Sequence, residues 1–214
     1  MNLKALITAG AATAGMLLGN AAFADAVTAV TAASYDFGYE NGFEGWSAKT
    51  DETSGAQDCP TRHNSSIVHS TAKARTGTHS LEFRTNGVGD CGLVYSDRQF
   101  QVGTTSPVKV DLSFWFWSND KPGPGTGGKN HVLAYSGADC IADPKGPIES
   151  NWEGFTNLGT TGHEEGAGWY EYRYQATVTP NSSGQICVGQ AVMIASTYRF
   201  FKSYYVDDTR VTVS

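Results

Sequence analysis

The stretch DLSFWFWSND, Asp111–Asp120, sets Phe114, Trp115, Phe116 and Trp117 in a row. Side chains along a β-strand alternate between its two faces. Leu112, Phe114 and Phe116 therefore share one side of this segment, and Ser113, Trp115 and Trp117 share the other. An antiparallel sheet ordinarily buries one face and wets the other. Large rings on both sides mean that the second face needs its own explanation, either as a binding surface or as a second small core under the long loop from Lys121 to Thr161.

Segments of the same kind recur along the chain: SLEFRT from Ser80, WYEYRYQATV from Trp169, QICVGQAVMIA from Gln185 and YYVDDTRVTVS from Tyr204. Breaker-rich turns such as TNGVGDCG, KPGPGTGG and TPNSSG separate them, and no segment carries a capped helical period. The pattern predicts an all-β fold, an antiparallel β-sandwich of the jelly-roll kind. In WYEYRYQATV, residues Tyr170, Tyr172, Tyr174, Ala176 and Val178 form the core side. Trp169, Glu171, Arg173 and Gln175 form the other. The least regular part, Lys121 to Thr161, reads as a long surface loop pinned by Cys140.

The first residues combine a single Lys4, an apolar run free of acids, and Ala22-Phe23-Ala24, the pattern of a secretory signal cleaved after Ala24. The expected organisation is a signal peptide over 1–24, a small-residue leader over 25–34, and one sandwich domain over 35–214. Four cysteines, Cys59, Cys91, Cys140 and Cys187, in an exported chain point to two disulfides. Three pairings are open, and the sequential one is expected. Acidic residues outnumber basic ones, 21 to 15, and Lys and Arg form no cluster. Nucleic acid and anionic membrane both demand a basic surface, so neither is an expected partner.

Two motif-like stretches carry no chemistry. GPGTGGK, Gly123–Lys129, has the spacing of a phosphate-binding loop, but Asn130 stands where a metal-binding hydroxyl is required and prolines interrupt the cradle. His163, Glu164 and Glu165 lack the second histidine of a zinc motif and read as a solvated loop. No catalytic residue is assigned.

The chain termini carry the most specific signals. YENGFEGWS (Tyr39–Ser47), ARTGTHSLEF (Ala74–Phe83) and YYVDDTRVTV (Tyr204–Val213) together resemble the jelly-roll carbohydrate-binding modules attached to secreted xylanases and cellulases. The resemblance implies a structural calcium ion between the first and last strands, with Glu40, Asp207 and Asp208 as ligands, since calcium takes several hard oxygens. Thr209 departs from the apolar residue usual after the paired aspartates. The resemblance further implies that Trp115, Trp117 and Trp169, with Glu171 and Arg173, lie on the concave face where such modules bind polysaccharide. Planar rings stack on sugars there while neighbouring polar groups bond hydroxyls.

Two rival readings accompany this one. SLEFR and FFKSYY faintly resemble motifs of jelly-roll lyases acting on uronic-acid glycans, but the Q-I-H segment of those enzymes is QIC here, Gln185–Cys187. An extracellular adhesion or coat protein would use the same face for a protein partner.

Overall fold

The computed structural model describes residues 32–51, 65–86, 93–119, 130–140, 155–163, 167–193 and 201–214. These residues form strands β1 (Ala33–Phe37), β2 (Ser47–Asp51), β3 (Ser66–Ser70), β4 (Ser80–Asn86), β5 (Leu93–Gln101), β6 (Val108–Ser118), β7 (Asn130–Gly137), β8 (Phe155–His163), β9 (Gly168–Val178), β10 (Gln185–Met193) and β11 (Phe201–Val213), and no helix. One sheet runs β3-β4-β11-β6-β9, with β1 also paired to β11; the other runs β2-β5-β10-β7-β8. Every pairing is antiparallel. The expected all-β sandwich is the observed fold.

Strand β6 shows why the two sheets face each other. Val108, Val110, Leu112, Phe114 and Phe116 are all buried, and the residues between them are half-buried or exposed. Phe116 stacks on Tyr204 of β11 with centroids 5.5 Å apart, and Phe114 lies beside Tyr172 and Tyr174 of β9. The opposite sheet contributes Val94, Phe100, Val132, Ala134, Ile186, Val188 and Val192 to the same core. Burial of this apolar area is the main force joining the sheets.

A polar network crosses the core. The Tyr39 hydroxyl donates to Thr209 Oγ1 at 2.7 Å, Gln190 Nε2 donates to Tyr39 Oη at 2.8 Å and to Ser96 Oγ at 3.2 Å, and Thr209 Oγ1 donates to Gln190 Oε1 at 3.1 Å. This network accounts for Thr209 where an apolar residue was expected: its hydroxyl is buried but satisfied. Strand β11 is irregular at the same point. Its register with β6 shifts between Asp207 and Arg210, and Asp208 has φ 46°.

Two expectations need correction. The stretch Lys121 to Thr161 is not one long loop, because Asn130–Gly137 and Phe155–His163 are strands β7 and β8. Val132, Leu133, Ala134 and Tyr135 are buried on both faces of β7, so the segment carries a continuous apolar run rather than an alternation, and flanking glycines obscured it. The ordered sandwich also begins earlier than residue 35, since Ala33 and Ser34 pair with Val213 and Thr212.

The disulfide Cys140–Cys187 is formed, with Cα atoms 5.0 Å apart. Cys59 and Cys91, the signal segment 1–24, the GPGTGGK stretch, and Glu164 and Glu165 lie outside the described residues. Around the disulfide, on the outer side of the second sheet, Tyr95, Leu133, Tyr135, Cys187 and Ala191 form a small separate core. Gly189 is required there, because a Cβ at that position would stand 1.9 Å from the Tyr135 ring.

Candidate functional site

The outer face of the first sheet gathers Trp115, Trp117 and Trp169. Register partners place Glu82 of β4, Tyr205 of β11, Trp117 of β6 and Trp169 of β9 in one row across the strands. The next row holds Asp207, Trp115 and Glu171, and beyond it lie Arg210, Ser113 and Arg173. Trp115, Trp117 and Trp169 are half-buried, whereas Phe114 and Phe116 on the inner side are fully buried. Trp117 meets Tyr205 edge to face at 5.5 Å. At the end of the first row Glu82 is almost fully buried. Burial raises its carboxyl, and hydrogen bonds from Arg84, Ser203 and Ser70 overcome that effect and hold it below the ordinary value.

The connection from β3 to β4, residues 71–79, lies over this face. Lys73 Nζ sits 4.4 Å from the centroid of Trp117, and the Arg75 guanidinium sits 3.7 Å from that of Trp115. Each ring is therefore partly covered by a cation held against its negative face. The sequence reading missed Lys73 and Arg75. Their signal was present in KAR, where two cations separated by one residue precede the SLEF strand.

Three carboxylates fasten the turn. Glu40 accepts from the backbone N–H of Thr78 at 2.8 Å and of His79 at 3.0 Å, and from Thr78 Oγ1 at 2.9 Å. Those bonds hold its carboxyl down at about 2. Gly77 makes the approach available, since a Cβ there would lie 2.2 Å from Glu40 Oε1. Asp207 accepts from the backbone N–H of Arg75 at 2.8 Å, of Thr76 at 3.3 Å and of Asp208 at 2.7 Å. Burial nevertheless drives the Asp207 carboxyl up to about 6, against those bonds and with the Asp208 charge pushing the same way. Asp208 accepts from Arg75 Nη1 and from Thr76 Oγ1, both at 2.6 Å.

Glu40, Asp207 and Asp208 thus all hold the same turn, each through N–H or O–H donors. Calcium needs oxygens directed at a common point. As placed, the carboxylates at the turn accept from N–H and O–H donors and anchor residues 75–79.

Two grooves open beside the turn. One, of about 470 Å³, is lined by Trp115, Ser113, Glu171 and Arg173 and by Arg75, Asp208, Arg210 and Asp36. The other, of about 610 Å³, lies between Trp117 and Trp169 on the sheet and Thr71, Lys73 and Thr78 of the turn. All five residues expected at a sugar face therefore line one or other groove. Glu171 and Arg173 pair with each other at 2.8 Å.

No family model matches the sequence, and no curated protein matches it. Solved structures match the fold. The chain aligns over 84% of its length with 99% of the CBM22-2 xylan-binding domain from Paenibacillus barcinonensis, at 12% identity and a TM-score of 0.52. It aligns over 84% of its length with 50% of the tandem CBM22-1 and CBM22-2 chain from the same organism, at 13% identity and a TM-score of 0.52. The chain shares the fold of β-sandwich carbohydrate-binding modules. It spans 58% of a further module chain of that superfamily, at 16% identity and a TM-score of 0.46.

The lyase-like segments do not assemble in one place. Ser80–Arg84 and Phe201–Tyr205 are neighbours on β4 and β11. Gln185–Cys187 lies on β10 in the other sheet, where Cys187 is tied up in the disulfide.

Proposed function

We propose that this chain is an exported, noncatalytic polysaccharide-binding protein that holds its glycan on the outer face of β11, β6 and β9. The observation that carries the reading is the meeting of Trp115, Trp117 and Trp169 on one face, beside two grooves that also present hydroxyls and charged groups. Ligand sites of this kind combine apolar walls with a few orienting polar groups, and a half-exposed ring is suited to the apolar face of a sugar. The shared fold supports the reading, and the disulfide is in keeping with an oxidising compartment.

Affinity electrophoresis on xylan, β-glucan and uronate gels tests it. The wild-type protein is expected to be retarded on at least one gel. Trp169→Ala should move freely, while Gln175→Ala, on the same strand and face, should remain retarded. Free migration of the wild-type protein on every gel, or equal retardation of Trp169→Ala, would remove the binding face.

A further inference from the structure

The charges on this face are unevenly satisfied. Arg75 pairs with Asp208 at 2.6 Å, Arg84 with Glu82 at 3.0 Å, Arg173 with Glu171 at 2.8 Å, and Arg210 with Asp36. Among the described residues, the groove at Trp115 is accordingly self-neutralised, with three arginines and three acids in its lining. Lys73 is different. Among the described residues its ammonium has no carboxylate partner and rests over Trp117 instead. Among the described residues, the groove that it shares with Trp117 and Trp169 has no acid in its lining, although the chain carries a net charge of −6. Two described acids near the turn and the tryptophan row are engaged elsewhere: Glu40 accepts from Thr78 and His79, and Glu82 is bound to Arg84 and Ser203.

We propose that this groove takes a uronate residue of an acidic polysaccharide, its carboxylate paired with Lys73 and its ring seated on Trp169. The inference rests on the polysaccharide-binding reading and adds the class of sugar. A neutral glycan would leave the Lys73 ammonium without a counterpart, whereas a uronate supplies both required surfaces. Its carboxylate projects from the edge of the sugar ring, so stacking on an indole leaves that group free to meet an ammonium alongside. The Thr71 and Thr78 positions add polar atoms to the same wall. A groove of about 610 Å³ lies within the usual range for small-ligand sites. Because a charge-assisted contact on an open groove is screened by ions, affinity should fall as salt rises.

Isothermal titration with polygalacturonate, alginate and glucuronoxylan oligosaccharides, each before and after carboxyl reduction, decides the matter. Wild-type protein should bind an acidic form at least about tenfold more tightly than its reduced form, a gap equivalent to one good ionic contact. Lys73→Gln should abolish that preference, Lys73→Arg should keep most of it, and Lys109→Gln, which removes the same charge from the far end of β6, should leave it intact. Equal binding of native and reduced forms, with both lost in Trp169→Ala, would overturn the uronate assignment while leaving the binding face in place. Preference for a sulfated galactan over every uronate would overturn it as well. Loss of preference in Lys109→Gln to the same extent would reduce it to general attraction, and failure of every glycan to bind would remove both readings.

Discussion

The Arg75 guanidinium lies 3.7 Å from the centroid of Trp115 while its Nη1 reaches Asp208 at 2.6 Å and its backbone N–H reaches Asp207 at 2.8 Å. One residue of the 71–79 turn thus joins a surface ring to the irregular point of β11, where Asp208 adopts φ 46°. Arg75→Ala should cost about 1–2 kcal/mol, from a cation–π contact and a half-exposed ion pair. Arg75→Lys should recover part of that by keeping the cation without the planar fork. Urea unfolding measures both, and tryptophan emission should shift to the red in the alanine variant as Trp115 is uncovered. Unchanged emission and midpoint would show that the stack contributes nothing.

Stability should pass through a maximum at mildly acidic pH. The Asp207 carboxyl is raised from an ordinary 3.8 to about 6, so between those values the folded protein holds a proton that the unfolded chain releases. Its contribution is complete below the lower value and is lost as pH rises through the upper one. Glu40 acts in the opposite sense. Its carboxyl is lowered from 4.5 to about 2, so its contribution is complete above the ordinary value and is lost as pH falls. The two windows meet near pH 4 to 5. Thermal melts across about pH 3 to 8 should show this optimum, and Asp207→Asn should flatten the alkaline limb alone. A midpoint rising steadily toward neutrality in both proteins would contradict the assignment.

Chelation should leave the melting temperature unchanged. An ion held only by the folded state stabilises it by mass action, but the Glu40, Asp207 and Asp208 oxygens are engaged by Arg75, Thr76, Thr78, His79 and Asp208 itself. Glu40→Gln should weaken the fold equally with and without added calcium. A melting temperature that climbs with calcium and drops with chelator, in metal-free protein, would restore the calcium cage that the family resemblance implies.

The sandwich was legible because its strands alternate. Phe114 against Trp115 and Tyr172 against Arg173 can each be assigned a side from spacing alone, and the observed burial follows that assignment. Strand β7 was not legible, since Val132, Leu133, Ala134 and Tyr135 are all covered and a short run buried on both faces has no period to detect. The site was half legible. The rings could be read from β6 and β9, but the covering of Trp115 and Trp117 by Arg75 and Lys73 depends on a turn crossing from another pair of strands, a relation with no sequence period. Asp207 and Glu40 were found as a pair through their motifs, while the donors facing them appear only when residues 75–79 fold back.

Gly189→Ala should destabilise without disturbing the site. The Tyr135 ring lies where the new Cβ would stand, 1.9 Å away, and Tyr135 is packed against Tyr95 in the core beside the disulfide. Overpacking a closed core costs roughly 1–3 kcal/mol. Denaturant midpoints should fall accordingly, while glycan affinity of the remaining folded protein stays the same because Gly189 is on the opposite sheet from the grooves. A fall in affinity at constant stability would mean that the outer side of the second sheet takes part in binding.

Strand β6 supplies the sharpest contrast within one element. Phe114 and Phe116 are buried between the sheets, in contact with Tyr172 and Tyr204, and truncating either to alanine should cost about 3–5 kcal/mol. That is a large share of the roughly 5–15 kcal/mol that holds a domain together. Trp115 and Trp117 alternate with them in sequence but are half-buried on the outer face, each covered on one side by a cation. Their alanine variants lose a cation–π contact and partial burial, so the expected loss is about 1–2 kcal/mol each, and circular dichroism at ambient temperature should be unchanged. Trp117→Ala should lose more than Trp115→Ala, because it also forfeits the edge-to-face contact with Tyr205. If the tryptophan variants unfold as readily as the phenylalanine ones, the outer rings are a second core and the residues 71–79 above them are a structural cover rather than one wall of a binding groove.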